Sequence, residues 1–468
     1  MVFASLEFLT LFLPVFFAFY FLTPARFRNH TMLVGSWLFY AWWTPKFLIL
    51  IIFLTIVTWL AAILIDKSAS ETFKTRVMAA GILINLASLA WYKYANVVVQ
   101  SLNDLFGSSG HPLIVWQTVF LPIALSFTVL HATSYLVDVR RGIVQAQYRF
   151  IFFSAYIAMF PHLIAGPIVR YKVIEKELRE RFFSAEEFAT GVRRFMIGFI
   201  MKVLIADPLS PLVALVFNET SPSLVDAWIG CGAYTIQLYF DFAGYSLMAI
   251  GLGLMLGFKF EPNFNNPYQS VSIQDFWRRW HMTLSSWLRD YLYISLLGGN
   301  RSGLTRTYIN LMLTMAIGGL WHGGESWNFL IWGIIHGSAL CIARAYNERG
   351  YSMPDFFSRI LTLLVVMLAW TVFRAHGFSA ALTMWGGQFG LHGVPMGDAV
   401  ALALRPTIYV SFVVGIACIV YPTLKIAKTG WGIFGSTAWR AIWPALAFAY
   451  ALIVLTGQVS PPFLYFQF

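Results

Sequence analysis

Charge is what this chain has least of. Lysine, arginine, aspartate and glutamate make up 11% of its 468 residues, against roughly 25% in an ordinary soluble domain. That deficit excludes a water-facing surface over most of the molecule. Acidic groups are the scarcer sign, 21 against 32 basic ones, for a formal net charge of +11. Cysteine is nearly absent: Cys231, Cys341 and Cys418 each stand alone in an apolar segment, which leaves no disulfide framework and no CxxC metal site and makes them small packing residues. There is no GxSxG elbow, no phosphate-binding glycine loop, no internal repeat and no stretch that reads as a soluble domain.

What is present is hydrophobic, 59% of the chain. A spanning helix needs about 20 mainly apolar residues and must satisfy its backbone internally, so the chain has room for roughly ten to twelve crossings. The expected fold class is all-α, a polytopic integral membrane protein. Residues 5–22 lack a basic n-region and a small-residue cleavage site and read as a retained first helix, bent by Pro14. The basic excess lies in short loops around Arg26/Arg28, Lys67/Lys74/Arg76 and Arg140/Arg141/Arg149. That pattern orients helices in a bilayer and does not call for nucleic acid. Residues 101–112 read as a Ser/Gly-rich loop.

Polar groups enter the apolar runs from residue 120. His131 sits with Ser126 and Ser134 in residues 121–142, where such groups must face the bundle interior. By itself it reads as a packing histidine before a catalytic one. Two prolines and a glycine interrupt residues 160–172, so a re-entrant element is expected there. The most charged section, residues 175–194, suggests a helix on the membrane surface. In residues 234–258, Gln237, Asp241 and Tyr245 share one helix face. Asp241 is then a functional candidate, or the structural partner of an arginine such as Arg278 or Arg289.

The richest stretch is 263–344. Ile273, Phe276, Trp277, Trp280, Leu284, Trp287, Leu288 and Tyr291 recur at helical spacing, with Arg278, His281, Ser285 and Arg289 on another stripe. Such a helix either grips lipid headgroups or walls a funnel for an anionic, phosphate-bearing donor. Six glycines then surround His322 and His336. Glycine lets helices approach or break, and histidine exchanges a proton near neutral pH, as acyl transfer to a hydroxyl requires. The two histidines are 14 residues apart with only Glu325 near them at ligand spacing, which matches no zinc motif, and no metal is expected.

Several longer strings carry a resemblance: PHLIAGPIVR (161–170), QLYFDFAGYS (237–246), AIGLGLMLGF (249–258), DFWRRWH (275–281), LSSWLRDYLYI (284–294), GGNR (298–301) and GGLWHG (318–323), with FYAWW (39–43) near the start. Together they resemble the membrane-bound O-acyltransferase (MBOAT) family, in particular its bacterial branch typified by alginate O-acetyltransferases, over nearly the whole chain. The resemblance implies one membrane-embedded domain over residues 1–468. Within it lie N-terminal helices at 1–100, a catalytic core at about 114–345 and C-terminal helices at 355–468, with re-entrant and interfacial helices around a central tunnel. It implies His322 as the family's invariant histidine and His336 as a second histidine of the branch. Trp280, Arg278, Arg289, Asp241 and Trp321 would line the donor entrance or tunnel. It also implies acetyl-CoA as donor with no bound cofactor, and periplasmic or membrane-anchored acetyltransferase partner proteins. The final acceptor would be an exported polysaccharide such as alginate or cellulose, and the site a bacterial inner membrane with its lipids. A transporter or an assembly scaffold without bond chemistry are the competing readings of buried polar groups in broken helices.

Overall fold

The computed structural model describes residues 1–42, 44–107, 112–421, 437–457 and 464. Among them every regular element is a helix. The chain packs as two compact units, Met1–Phe195 with Ser246–Glu261, and Met196–Tyr245 with Pro262–Phe468.

Among the described residues six helices are long and apolar enough to cross a membrane: Pro45–Lys67, Glu71–Phe106, Ala185–Phe217, Leu224–Met255, Asn328–Glu348 and Asp355–Arg374. Phe8–Leu22, Pro406–Val420 and Ile442–Thr456 are shorter apolar helices. Composition alone gives room for more crossings because it counts apolar residues wherever they stand, whereas breaks cut several apolar runs short.

In the first unit, Pro14 falls in the first turn of Leu13–Leu22, directly after a π-helical turn at Phe8–Phe12. The helix runs on through the proline, from Phe8 to Leu22, and changes type just before the residue at which a bend is expected. Glu71–Phe106 absorbs the first half of the loop expected at 101–112; residues 108–111 of that loop, and Trp43 of the FYAWW string, lie outside the described residues. Asn103 anchors the chain beyond the loop, its Oδ1 accepting from Ile114 N at 2.8 Å and its Nδ2 donating to Ile114 O at 3.0 Å.

At the expected re-entrant element, one helical turn at Phe160–Leu163 gives way to irregular backbone that stays buried through Arg170. Burial in protein is the condition under which non-helical backbone is tolerated at membrane depth. The charged section at 175–194 is not one surface helix. It is split between Tyr171–Arg179 and Ala185–Ile200, and the second piece opens the Ala185–Phe217 span. The break follows from Arg181, whose guanidinium stacks 4.5 Å over the Phe258 ring and donates to Tyr20 Oη at 2.7 Å.

Candidate active site

The second unit holds every histidine of the central stretch, and a helical hairpin positions two of them. Leu304–His322 and Asn328–Glu348 run antiparallel, joined by residues 323–327. Glycine is obligatory along their seam: a Cβ on Gly319 would strike the Phe329 carbonyl, one on Gly333 the Met315 carbonyl, and one on Gly337 would stand 2.8 Å from Met312 Sδ. The two backbones are thus in contact, as small residues allow. His322 is consequently held as the last residue of its helix, 7% exposed.

Trp332 and His336 follow one turn apart on the facing helix. The Trp332 ring lies 5.2 Å from that of His322 and 4.8 Å from that of His336, so one indole lies against both imidazoles. Trp321 and Phe373 flank His322 at 4.9 and 5.7 Å. His336 is enclosed by Phe276, stacked at 6.1 Å, and by Trp277 at 5.1 Å. Neither of its ring nitrogens has a hydrogen-bond partner among the described residues.

Opposite this hairpin the expected single amphipathic helix is broken into Ile273–Arg279, Met282–Trp287 and a π-helical turn at Leu288–Tyr293. Ser272 caps the first piece, its Oγ accepting from Asp275 N at 3.0 Å. Trp280 is extended and His281 left-handed, φ +42°, a conformation that costs a bulky residue of order 1–3 kcal/mol. Asn263 supplies the compensation. Its carbonyl oxygen accepts from Met282 N at 2.8 Å, and its Oδ1 accepts from Thr283 N at 3.2 Å and Thr283 Oγ1 at 2.8 Å.

That same Oδ1 lies 3.1 Å from His281 Nδ1. A backbone N–H can only donate, so the contact from Thr283 N fixes this side-chain atom as the acceptor, and His281 Nδ1 must carry a hydrogen. Burial pushes the His281 pKa down to about 3, and the neutral ring then bears its lone pair on Nε2, which has no partner among the described residues. The ring lies 6.4 Å from His322 and is seated edge-on against Phe242 at 4.8 Å.

His281 is thus the group that sequence spacing underrates. Its stripe does not exist, because the helix breaks at that residue: His281 is fully buried while Arg278 and Arg289 are exposed. Its locking partner lies 18 positions upstream in a loop. Trp280, by contrast, is buried against Trp370 at 5.0 Å, and Trp370 stacks on Trp332 at 5.7 Å. The structure therefore brings His322, His336, Trp321 and Trp280 into one network of rings. Arg289 pairs instead with its neighbour Asp290 at 2.7 Å.

Asp241 pairs with neither Arg278 nor Arg289. A π-helical turn at Met201–Ala206 carries Lys202, whose Nζ lies 2.7 Å from Asp241 Oδ1 and 2.6 Å from Asp207 Oδ1. Asp241 Oδ2 accepts from Leu464 N at 3.0 Å. The two arginines sit on exposed faces, so a lysine already inside the unit takes the carboxylate.

Comparison with known proteins agrees with this architecture. The MBOAT, membrane-bound O-acyltransferase family, matches residues 38–385. A probable alginate O-acetylase of Azotobacter vinelandii is 41% identical across 100% of both chains. A peptidoglycan O-acetyltransferase of Helicobacter pylori is 35% identical over 83% of this chain and 80% of its own length. A teichoic acid D-alanyltransferase of Bacillus subtilis is 29% identical over 59% of this chain and 74% of its own. Acyl transfer is common to these names while the polymers differ, and His322, the glycine hairpin and the broken helix around His281 all lie within the matched residues: the chain is a multi-pass membrane acyltransferase and belongs to the MBOAT family.

Proposed function

We propose that this protein transfers acetyl groups from a cytoplasmic thioester donor, acetyl-CoA, for O-acetylation of an exported polysaccharide at a bacterial inner membrane. Alginate is the acceptor favoured by the Azotobacter relative's name, with cellulose or another glucan as the alternative polymer. Periplasmic or membrane-anchored acetyltransferase proteins would complete delivery to the polymer.

The observation that carries the reading is the placing of His322, at a helix end, beside a second imidazole whose tautomer is fixed and whose Nε2 has no hydrogen-bond partner among the described residues. In the proposed step His322 removes the proton from the acceptor hydroxyl as that oxygen attacks the thioester carbonyl carbon. The C–S bond then breaks and the thiolate takes the proton from His322. His281 Nε2 accepts a hydrogen bond and orients the proton carrier. The indole N–H of Trp332 is buried and without a partner among the described residues, and is the donor offered to the carbonyl oxygen as charge develops on it. His336 presses Trp332 against His322.

The test is the acetyl content of exported polysaccharide in a deletion strain complemented with wild type or His322→Ala, at matched membrane abundance. Loss of acetyl groups with normal polymer output is the expected result. Unchanged acetylation would refute the assignment.

A further inference from the structure

The first unit contains a groove whose lining includes none of the rings around His322. Between Leu13–Leu22 and Arg28–Ala41 runs a groove of about 810 Å³, lined by Leu11, Val15, Phe16, Phe19, Val34 and Leu38. Its walls are open to the surroundings: Phe19 is 65% and Leu38 62% exposed. The groove exists because Gly35 has no side chain, since a Cβ there would collide with the Phe16 ring.

The groove has one polar end and one apolar end. Thr23, His30 and Thr31 line the first and Trp42 the second. From Thr31 to Trp42, at about 1.5 Å per residue, it runs roughly 16 Å, about half of the ~30 Å hydrocarbon core. That is the depth of one leaflet. The turn closing the polar end carries Arg26 and Arg28, and among the described residues neither forms an ion pair with a carboxylate. Arg28 is held in place, its Nε donating to Thr23 O at 3.4 Å and its guanidinium 4.6 Å over the Phe183 ring.

We propose that this groove binds one acyl chain of an anionic phospholipid, with the headgroup phosphate recognised by Arg26, Arg28 and His30. Chain length matches groove length, and the unneutralised cations stand where a headgroup of that leaflet must lie. A neutral lipid would fill the groove but leave the arginines unanswered.

The test uses the full-length protein in nanodiscs of equal phosphatidylglycerol and phosphatidylcholine, with retained lipid counted by native mass spectrometry. Wild type should retain phosphatidylglycerol in preference, by about fivefold per arginine. Arg26→Gln/Arg28→Gln should keep a bound lipid without preference. Val34→Trp and Leu38→Trp, at exposed positions that fold need not disturb, should lose the retained lipid while unfolding at the wild-type temperature. Equal retention of both lipids by wild type would overturn the proposal, as would undiminished retention in the tryptophan variants or a dimer cross-linked through Leu38.

Discussion

Asn263 offers the sharpest perturbation, because one side-chain oxygen serves three donors. Asn263→Ala removes the acceptor of two N–H groups, Thr283 N–H and His281 Nδ1–H. The Thr283 hydroxyl can rotate elsewhere. At about 0.5–1.5 kcal/mol for each hydrogen bond lost, the cost is roughly 1–3 kcal/mol, which a thermal unfolding midpoint in detergent would register. Asn263→Asp separates stability from chemistry. It keeps an acceptor at the same place but sets a carboxylate against the imidazole, which favours the protonated ring and raises the His281 pKa from its buried value. Protonation occupies Nε2, so polysaccharide acetylation by membranes carrying Asn263→Asp should fall off on the acid side at a higher pH than wild type, by about one to three pH units. Superposable pH profiles for the two proteins would refute the requirement for an unprotonated Nε2. Wild-type activity and wild-type thermal midpoint in Asn263→Ala would refute the reading of the whole turn.

Other substitutions divide the site into its parts. Gly319→Ala forces a Cβ into the Phe329 carbonyl and should displace His322, lowering acetyl incorporation by about a hundredfold, the loss expected from a misplacement of about 1 Å. Trp332→Phe keeps a ring beside His322 but removes the indole donor, and should cost about 10²–10³ in turnover, seen as lower kcat at similar donor KM. His336→Phe should be milder than His322→Ala, since His336 touches rings and has no hydrogen-bond partner among the described residues; equal losses would assign it a proton-transfer role. Arg289→Ala should leave membrane abundance and the donor concentration for half-maximal rate unchanged, because an exposed pair such as Arg289–Asp290 contributes little; a raised requirement would restore the donor-entrance reading.

The helical, membrane-spanning character was legible because it follows from solvent: a chain with 11% charge has no other way to satisfy its backbone. The close approach of two helices beside His322 was legible too, since glycine flanking a histidine in an apolar run signals close backbones. Where spacing misled, the cause was local. The Trp280–His281 break interrupts a stretch whose periodicity continues across it, so pattern alone runs one helix through residues 273–291. The break is imposed by Asn263, from a loop that no periodicity links to it. Likewise, Lys202 reaches Asp241 only because a π-helical turn redirects it.

Asp241 and His281 show how a buried polar group can be sorted into structure or chemistry. The default for a carboxylate inside a membrane protein is function, and composition makes Asp241 the more arresting of the two. Yet both its oxygens are engaged, one by Lys202 and the other by a backbone N–H. Any reaction there must first break a buried ion pair, at a cost of about 3–5 kcal/mol. His281 carries no charge and draws less notice, but its fold spends Nδ1 on Asn263 and leaves Nε2 with a lone pair, beside the imidazole at a helix end. Unspent hydrogen-bonding capacity held in a fixed orientation is what a reacting group requires, because nothing need be broken before substrate arrives. By that criterion Asp241 belongs to the architecture of the second unit, and His281 meets the requirement that the proposed step places on a group beside His322.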